Sequence, residues 1–182
     1  PPRRRQHQIR LEPELIPREQ NQLADYSSRV RDIDDWYLKP ELFDMLDNLW
    51  GPHTVDRFAN HHNTQLQRFN SRYACPGSEA VDAFTVNWGA ENNWWCPPPM
   101  LIPRVLKHAE LCKAEGILIV PAWESSPFWP FICPDGLSFS PFIKAFVSLP
   151  LSVDLFCSSQ SGSSLFHGQF PNTAVYALRV VF

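Results

Sequence analysis

The stretch from Asn92 to Pro121 constrains the fold of this 182-residue chain more than any other, because a strand, a helix and a second strand follow one another there without spare residues. Asn92-Asn93-Trp94-Trp95-Cys96 reads as a strand stopped by Pro97-Pro98-Pro99. Residues 102–112 carry Ile102, Val105, Leu106, Ala109 and Leu111 in a helical pattern. Gly116-Ile117-Leu118-Ile119-Val120-Pro121 is a continuous apolar run of strand length, the kind buried on both faces of a parallel sheet. Strand, helix and strand in this order make a βαβ unit, whose crossover is right-handed and whose post-strand loops gather on one edge. The expected class is therefore α/β, with a mixed sheet and flanking helices.

The loop Cys96-Pro97-Pro98-Pro99 interrupts this unit at a position where α/β sheets bind ligands, the carboxyl end of a strand. Consecutive prolines fix φ near −65° and remove amide donors, so their carbonyls stay free to face a ligand. The same residues also suit a stiff connector that ends a strand and supplies the first position of a helix. Local sequence leaves both readings open.

Flanking segments set the remaining expectations. Residues 1–36 are polar and poor in large apolar groups, with a short helix at most over 22–29, so they read as an N-terminal helical tail or linker ahead of a domain at 37–182. Pro40 starts a helix carrying Leu42, Phe43, Leu46 and Leu49. Residues 54–58 read as a short strand running into the polar loop Asn60-His61-His62-Asn63, and residues 80–84 as a turn or short helix. Residues 125–131 suggest an aromatic helix, and residues 153–157 and 175–182 suggest late strands paired antiparallel at one edge.

With 44% hydrophobic residues the chain has enough apolar mass for a real core, and 18 prolines against 7 glycines predict short, sharply bounded elements. A net charge of −3 excludes a body that grips duplex DNA by phosphate contacts alone, and the only basic cluster is Arg3-Arg4-Arg5 with Arg10. Five cysteines, odd in number and without zinc-ribbon spacing, read as free thiols, and His61, His62 and Cys75 lack a fourth metal ligand. No run approaches the ~18 apolar residues of a membrane span, and no signal region adjoins the N-terminus. The expectation is an intracellular chain, nuclear or cytoplasmic, with no membrane partner.

Two resemblances sharpen this outline. The string Ile16-Pro17-Arg18-Glu19-Gln20-Asn21-Gln22-Leu23-Ala24-Asp25-Tyr26-Ser27-Ser28-Arg29 resembles the terminal motif of the RNase H domain in retroelement polyproteins, most closely the DIRS-type retrotransposons. That resemblance implies that Asp25 is a carboxylate for divalent metal, working only within a longer chain that holds the other carboxylates. Residues 36–132 resemble the phage-type Dam DNA adenine methyltransferases. The resemblance runs through Tyr37, Pro40, Phe43 and Leu46, then Asp56, Ala59, Asn63 and Phe69, then Asp82-Ala83-Phe84 with Trp88, the proline loop, Val120-Pro121 and Trp129. Ala177-Leu178-Arg179 resembles the close of the same domain.

This second resemblance implies a Rossmann-like methyltransferase-type sheet and S-adenosylmethionine as cofactor, with Asp56, Ala59, Asn63 and Asp82 on the cofactor side. It implies Cys96, Pro97, Pro98 and Pro99 as the catalytic tetrad, and as partners DNA or an RNA–DNA hybrid together with the reverse transcriptase/RNase H portion of the same polyprotein. In the family, a side-chain oxygen and a backbone carbonyl accept the target amine's hydrogens, and an aromatic ring stacks on the extruded base. Here the oxygen position is Cys96 and the aromatic position is Pro99, so two of three functions are missing. Loss of one such hydrogen bond, at about 3 kcal/mol, slows catalysis about 100-fold. The resemblance therefore implies a degenerate methyltransferase, with an active enzyme or a protein-interaction module as the alternatives. A glycine-rich turn is also absent after Asp56, whose other reading is a helix cap or an ion pair with Arg57 or Arg68.

Overall fold

The structure is a computed structural model that describes residues 36–150, 155–158 and 173–182, all within the compact unit Ile33–Phe182. Asp25 and the RNase H-like string lie outside the described residues.

Along the described chain run β1 (Trp36–Leu38), α1 (Pro40–Trp50), β2 (Val55–Asp56), β3 (Asn70–Ser71), β4 (Ala80–Val81) and β5 (Asn92–Trp95). They are followed by α2 (Ile102–Cys112), β6 (Glu115–Pro121), a one-turn α3 (Trp129–Ile132), β7 (Ile143–Leu149), β8 (Phe156–Ser158) and β9 (Val175–Val181). Short 3-10 turns cover Ala83–Thr85 and Pro99–Leu101. The main sheet has the order β2-β5-β6-β9-β7. Strands β2, β5 and β6 are parallel, while β9 pairs antiparallel with both β6 and β7. The sheet therefore runs in one direction except for the last strand, inserted before the edge.

Side-chain alternation gives the sheet two apolar faces. On β6, Ile117 and Ile119 point to the layer containing Phe43 and Leu46 of α1, whereas Leu118 and Val120 point to the layer containing Val105, Leu106 and Ala109 of α2. Trp94 and Trp95 divide between the same two layers. Helices thus cover both faces, the arrangement expected for a strand buried on both sides. Leu46 is fully buried, worth about 2 kcal/mol relative to exposure. Gly116 is required where β6 meets β5: an added Cβ would lie 2.2 Å from the Asn93 carbonyl oxygen.

Several expectations need correction. Leu111 is 71% exposed, because nine residues at about 100° each place it opposite Ile102 on the helix. Leu49 is also exposed, since successive steps of three residues from Phe43 drift away from the buried face. The strand expected over 54–58 is only Val55–Asp56, and residues 80–84 divide into β4 and a 3-10 turn. The two late strands do not pair with each other. Instead β8 pairs with β1, and β9 lies between β6 and β7.

Candidate functional site

The parallel strands bring the residues after β2 and β5 to one edge. Asp56 is in register with Trp94, and Cys96 follows two residues later on the same face as Asp56. These two side chains are electrostatic neighbours, and both are buried.

Asp56 is 3% exposed, and its oxygens accept backbone amides from Phe58 (3.4 Å) and Gln65 (3.1 Å). No cation pairs with it among the described residues. Burial dominates over those two bonds and raises its carboxyl to about 7. The expected ion pairs are not formed. Arg68 bridges Glu79 (2.7 Å) and Glu91 (2.9 Å) at the surface. Arg57 turns to the opposite face, where its Nε donates to Asn93 Oδ1 (2.7 Å) and its Nη1 to Asn70 Oδ1 (2.8 Å), with the guanidinium carbon 5.7 Å from the Trp88 ring centroid. Burial lowers its pKa, yet it stays charged at neutral pH and is held by neutral amides. Asn93, fully buried, also donates to the carbonyls of Trp88, Glu91 and Glu115.

The loop after Asp56 closes on itself. The buried Ala59 donates its amide to the Asn70 carbonyl (3.1 Å), and Asn63 Oδ1 accepts the Asn60 amide (2.6 Å). His61 and His62 are exposed, with ring centroids 3.7 Å apart. Asp82 sits apart from this loop at φ 60°, caps the following 3-10 turn through Phe84 N (3.1 Å) and lies 3.6 Å from Arg104 Nη2. Phe84 links the two regions by packing 5.5 Å from Phe58. The four cofactor-side candidates thus divide into a self-satisfied loop and a separate cap. The Asp56 carboxyl is buried, and the Asn63 oxygen is engaged within the loop.

The proline tetrad is packed, not open. Cys96, Pro97 and Pro99 are buried, Pro98 is half-buried, and Met100 alone projects at 79% exposure. The Pro98 carbonyl accepts the Leu101 amide (2.8 Å), and Pro99 starts the 3-10 turn that leads into α2. Burial, with the Asp56 charge adding to it, pushes the Cys96 thiol up, and the Leu38 amide offsets this in part. Nucleophilic cysteines need the reverse shift.

Sequence reasoning missed Gln65, which donates its backbone amide to Asp56 and its side-chain Nε2 to the Leu38 carbonyl. It also missed the Arg57–Asn93–Asn70 network, for which the signal was present: an arginine at a strand end and an asparagine inside an apolar strand both need buried partners. Among the described residues no group of three or more His, Cys, Asp or Glu side chains is placed to hold a metal. No helix of the described residues is long and apolar enough to cross a membrane. No protein-family model matches the chain, and no curated protein matches it.

Proposed function

We propose that this chain is part of a DIRS-type retroelement polyprotein in which residues 37–182 form a degenerate phage Dam-like domain on a Rossmann-like sheet. The domain is catalytically weak or inactive as a methyltransferase. It serves the reverse transcriptase/RNase H part of the polyprotein as a structural module associated with DNA or an RNA–DNA hybrid.

One observation carries the reading. The tetrad follows the central parallel strand β5, beside the acid that ends β2, and both polar groups there are buried and engaged within the fold. Position supports the ancestry, because ligand chemistry in open α/β sheets gathers at the carboxyl ends of such strands. A reversed strand inserted next to the edge of an otherwise unidirectional sheet suits the methyltransferase-type mixed sheet that the resemblance implies. Engagement supports the loss of activity. A buried thiol offers no strong acceptor to a target amine, and a buried proline offers no ring to a flipped base. With a net charge of −3, nucleic-acid contact falls to the cluster Arg3-Arg4-Arg5 and is salt-sensitive.

The test is transfer of a labelled methyl group from S-adenosylmethionine to unmethylated duplex DNA, run beside filter binding of DNA and of an RNA–DNA hybrid. The reading expects little or no incorporation, and binding that weakens with salt. Incorporation abolished by Asp56→Ala would restore the active-enzyme reading. Absence of both incorporation and nucleic-acid binding would favour a protein-interaction module.

A further inference from the structure

Strand β7 is the outermost strand on its side of the main sheet, and among the described residues β9 is its one neighbour. An edge strand presents a row of main-chain donors and acceptors that a further strand can pair. Two features that discourage such pairing sit at one end of β7: Lys144, its single charge, and the bulge between Ile143 and Ala145. The remaining segment, Ala145-Phe146-Val147-Ser148-Leu149, keeps an unbroken register with β9 and carries neither charge nor proline. Exposed apolar surface adjoins it. Phe146 is 53% exposed although its ring centroid lies 4.9 Å from that of Phe139 and 5.8 Å from that of Tyr176, and Leu137, two residues before Phe139, is 91% exposed.

We propose that β7 is a dimerisation edge, at which Ala145–Leu149 pairs antiparallel with the same segment of a second copy of this chain about a two-fold axis through Val147. This goes beyond the reading of the domain as methyltransferase-like and does not depend on it. The segment is complementary to itself. In that register Ala145 faces Leu149, Phe146 faces Ser148 and Val147 faces its own counterpart. Apolar residues meet on the face where Val147 and Leu149 join the layer of α1. On the other face each Phe146 covers a small Ser148, and the two Phe146 rings lie diagonally across the axis, within aromatic reach of each other. Lys144 falls opposite Pro150, beyond the ladder, so no like charges meet. A charged peptide would find only Lys144 to answer it on this strand. The contact is isologous and joins two five-stranded sheets edge to edge. So short a ladder buries less than a standard interface, which makes the dimer weak and concentration-dependent.

Sedimentation equilibrium of the intact chain from about 1 μM to about 1 mM tests this, a range that covers weak associations. The wild type shifts from the monomer mass to twice that mass as concentration rises. Phe146→Lys replaces an exposed ring by a charge at the ladder and holds the chain at the monomer mass. Adding Ser148→Glu to that variant sets a Lys–Glu pair on each side of the axis and restores the dimer, a rescue that only this register supplies. A wild type that stays monomeric throughout would overturn the proposal and leave the edge to a strand of another protein. Association undiminished by Phe146→Lys would overturn it as well, because the contact would then lie elsewhere, and so would a double variant that stays monomeric. If Phe146→Lys does not fold, the wild-type masses and the double variant decide the question.

Discussion

Replacing Asp56 by Asn exchanges a group that is costly only when ionised for one whose cost is the same at every pH. In the wild type the carboxyl is raised from 3.8 to about 7 by burial. A carboxyl raised on folding contributes stability that is fully present below the unfolded value and lost as pH rises through the folded value. Between pH 5 and pH 8 this loss amounts to about 3 kcal/mol. Asn keeps one acceptor for the amides of Phe58 and Gln65 and turns an NH2 toward the other, a fixed cost of about 1–3 kcal/mol. The variant is therefore the less stable protein at pH 5 and equals or overtakes the wild type at pH 8. Urea denaturation of both proteins across this range, at constant m-value, measures the difference directly. Other titrating groups, His53 among them, cancel in the comparison. Parallel pH profiles for the two proteins would refute the claim that Asp56 is buried without a counter-charge.

The remaining predictions concern the frame around the site. Asn93→Ala strips the Arg57 guanidinium of one of its two partners and three carbonyls of their donor, and lowers stability in urea by about 3–5 kcal/mol. Gly116→Ala drives a Cβ to 2.2 Å from the Asn93 carbonyl oxygen on the neighbouring strand and lowers the thermal midpoint, at a cost of about 3 kcal/mol. His53, whose ring is buried and bonded to Asp47 (2.5 Å), has its pKa lowered by burial against the opposing pull of that acid. Its NMR titration midpoint accordingly falls below 6.5, and the stability it contributes is present above that pH and lost as pH falls through the depressed value. Cys96→Asp with Pro99→Tyr sets a second carboxyl beside Asp56. Denaturation at pH 8 shows the double variant less stable than the wild type by about 2 kcal/mol or more, and the methyl-transfer assay shows no gain.

Where signals are local, the sequence was legible. Proline and apolar spacing located α1 from Pro40 and α2 over Ile102–Cys112, and the run of aliphatic residues located β6 and its place inside the sheet. Pairing was not, because it depends on partners distant in sequence. β8 joins β1 across about 120 residues, and no feature of Phe156-Cys157-Ser158 distinguishes that partner from β9. Strand β7 was overlooked although it alternates half-buried and exposed residues up to the buried Leu149, since Phe146 and Lys144 on its outer face disguise it as a mixed segment. At the site, the spacing correctly marked Asp56 and Cys96 as strand-end residues, but it could not show where their polar atoms point. That is decided by Gln65 and Leu38, one after the loop and the other before α1, which meet only in the folded chain.

The central claim is that the acid ending β2 is buried, with its oxygens bonded to the Phe58 and Gln65 amides and no cation paired with it among the described residues. A carbon-13 NMR titration of the Asp56 carboxyl, with and without saturating S-adenosylmethionine, tests it most directly. The account predicts a midpoint near 7 that the cofactor leaves unmoved. A midpoint near 4, or a resonance displaced by the cofactor, would contradict it.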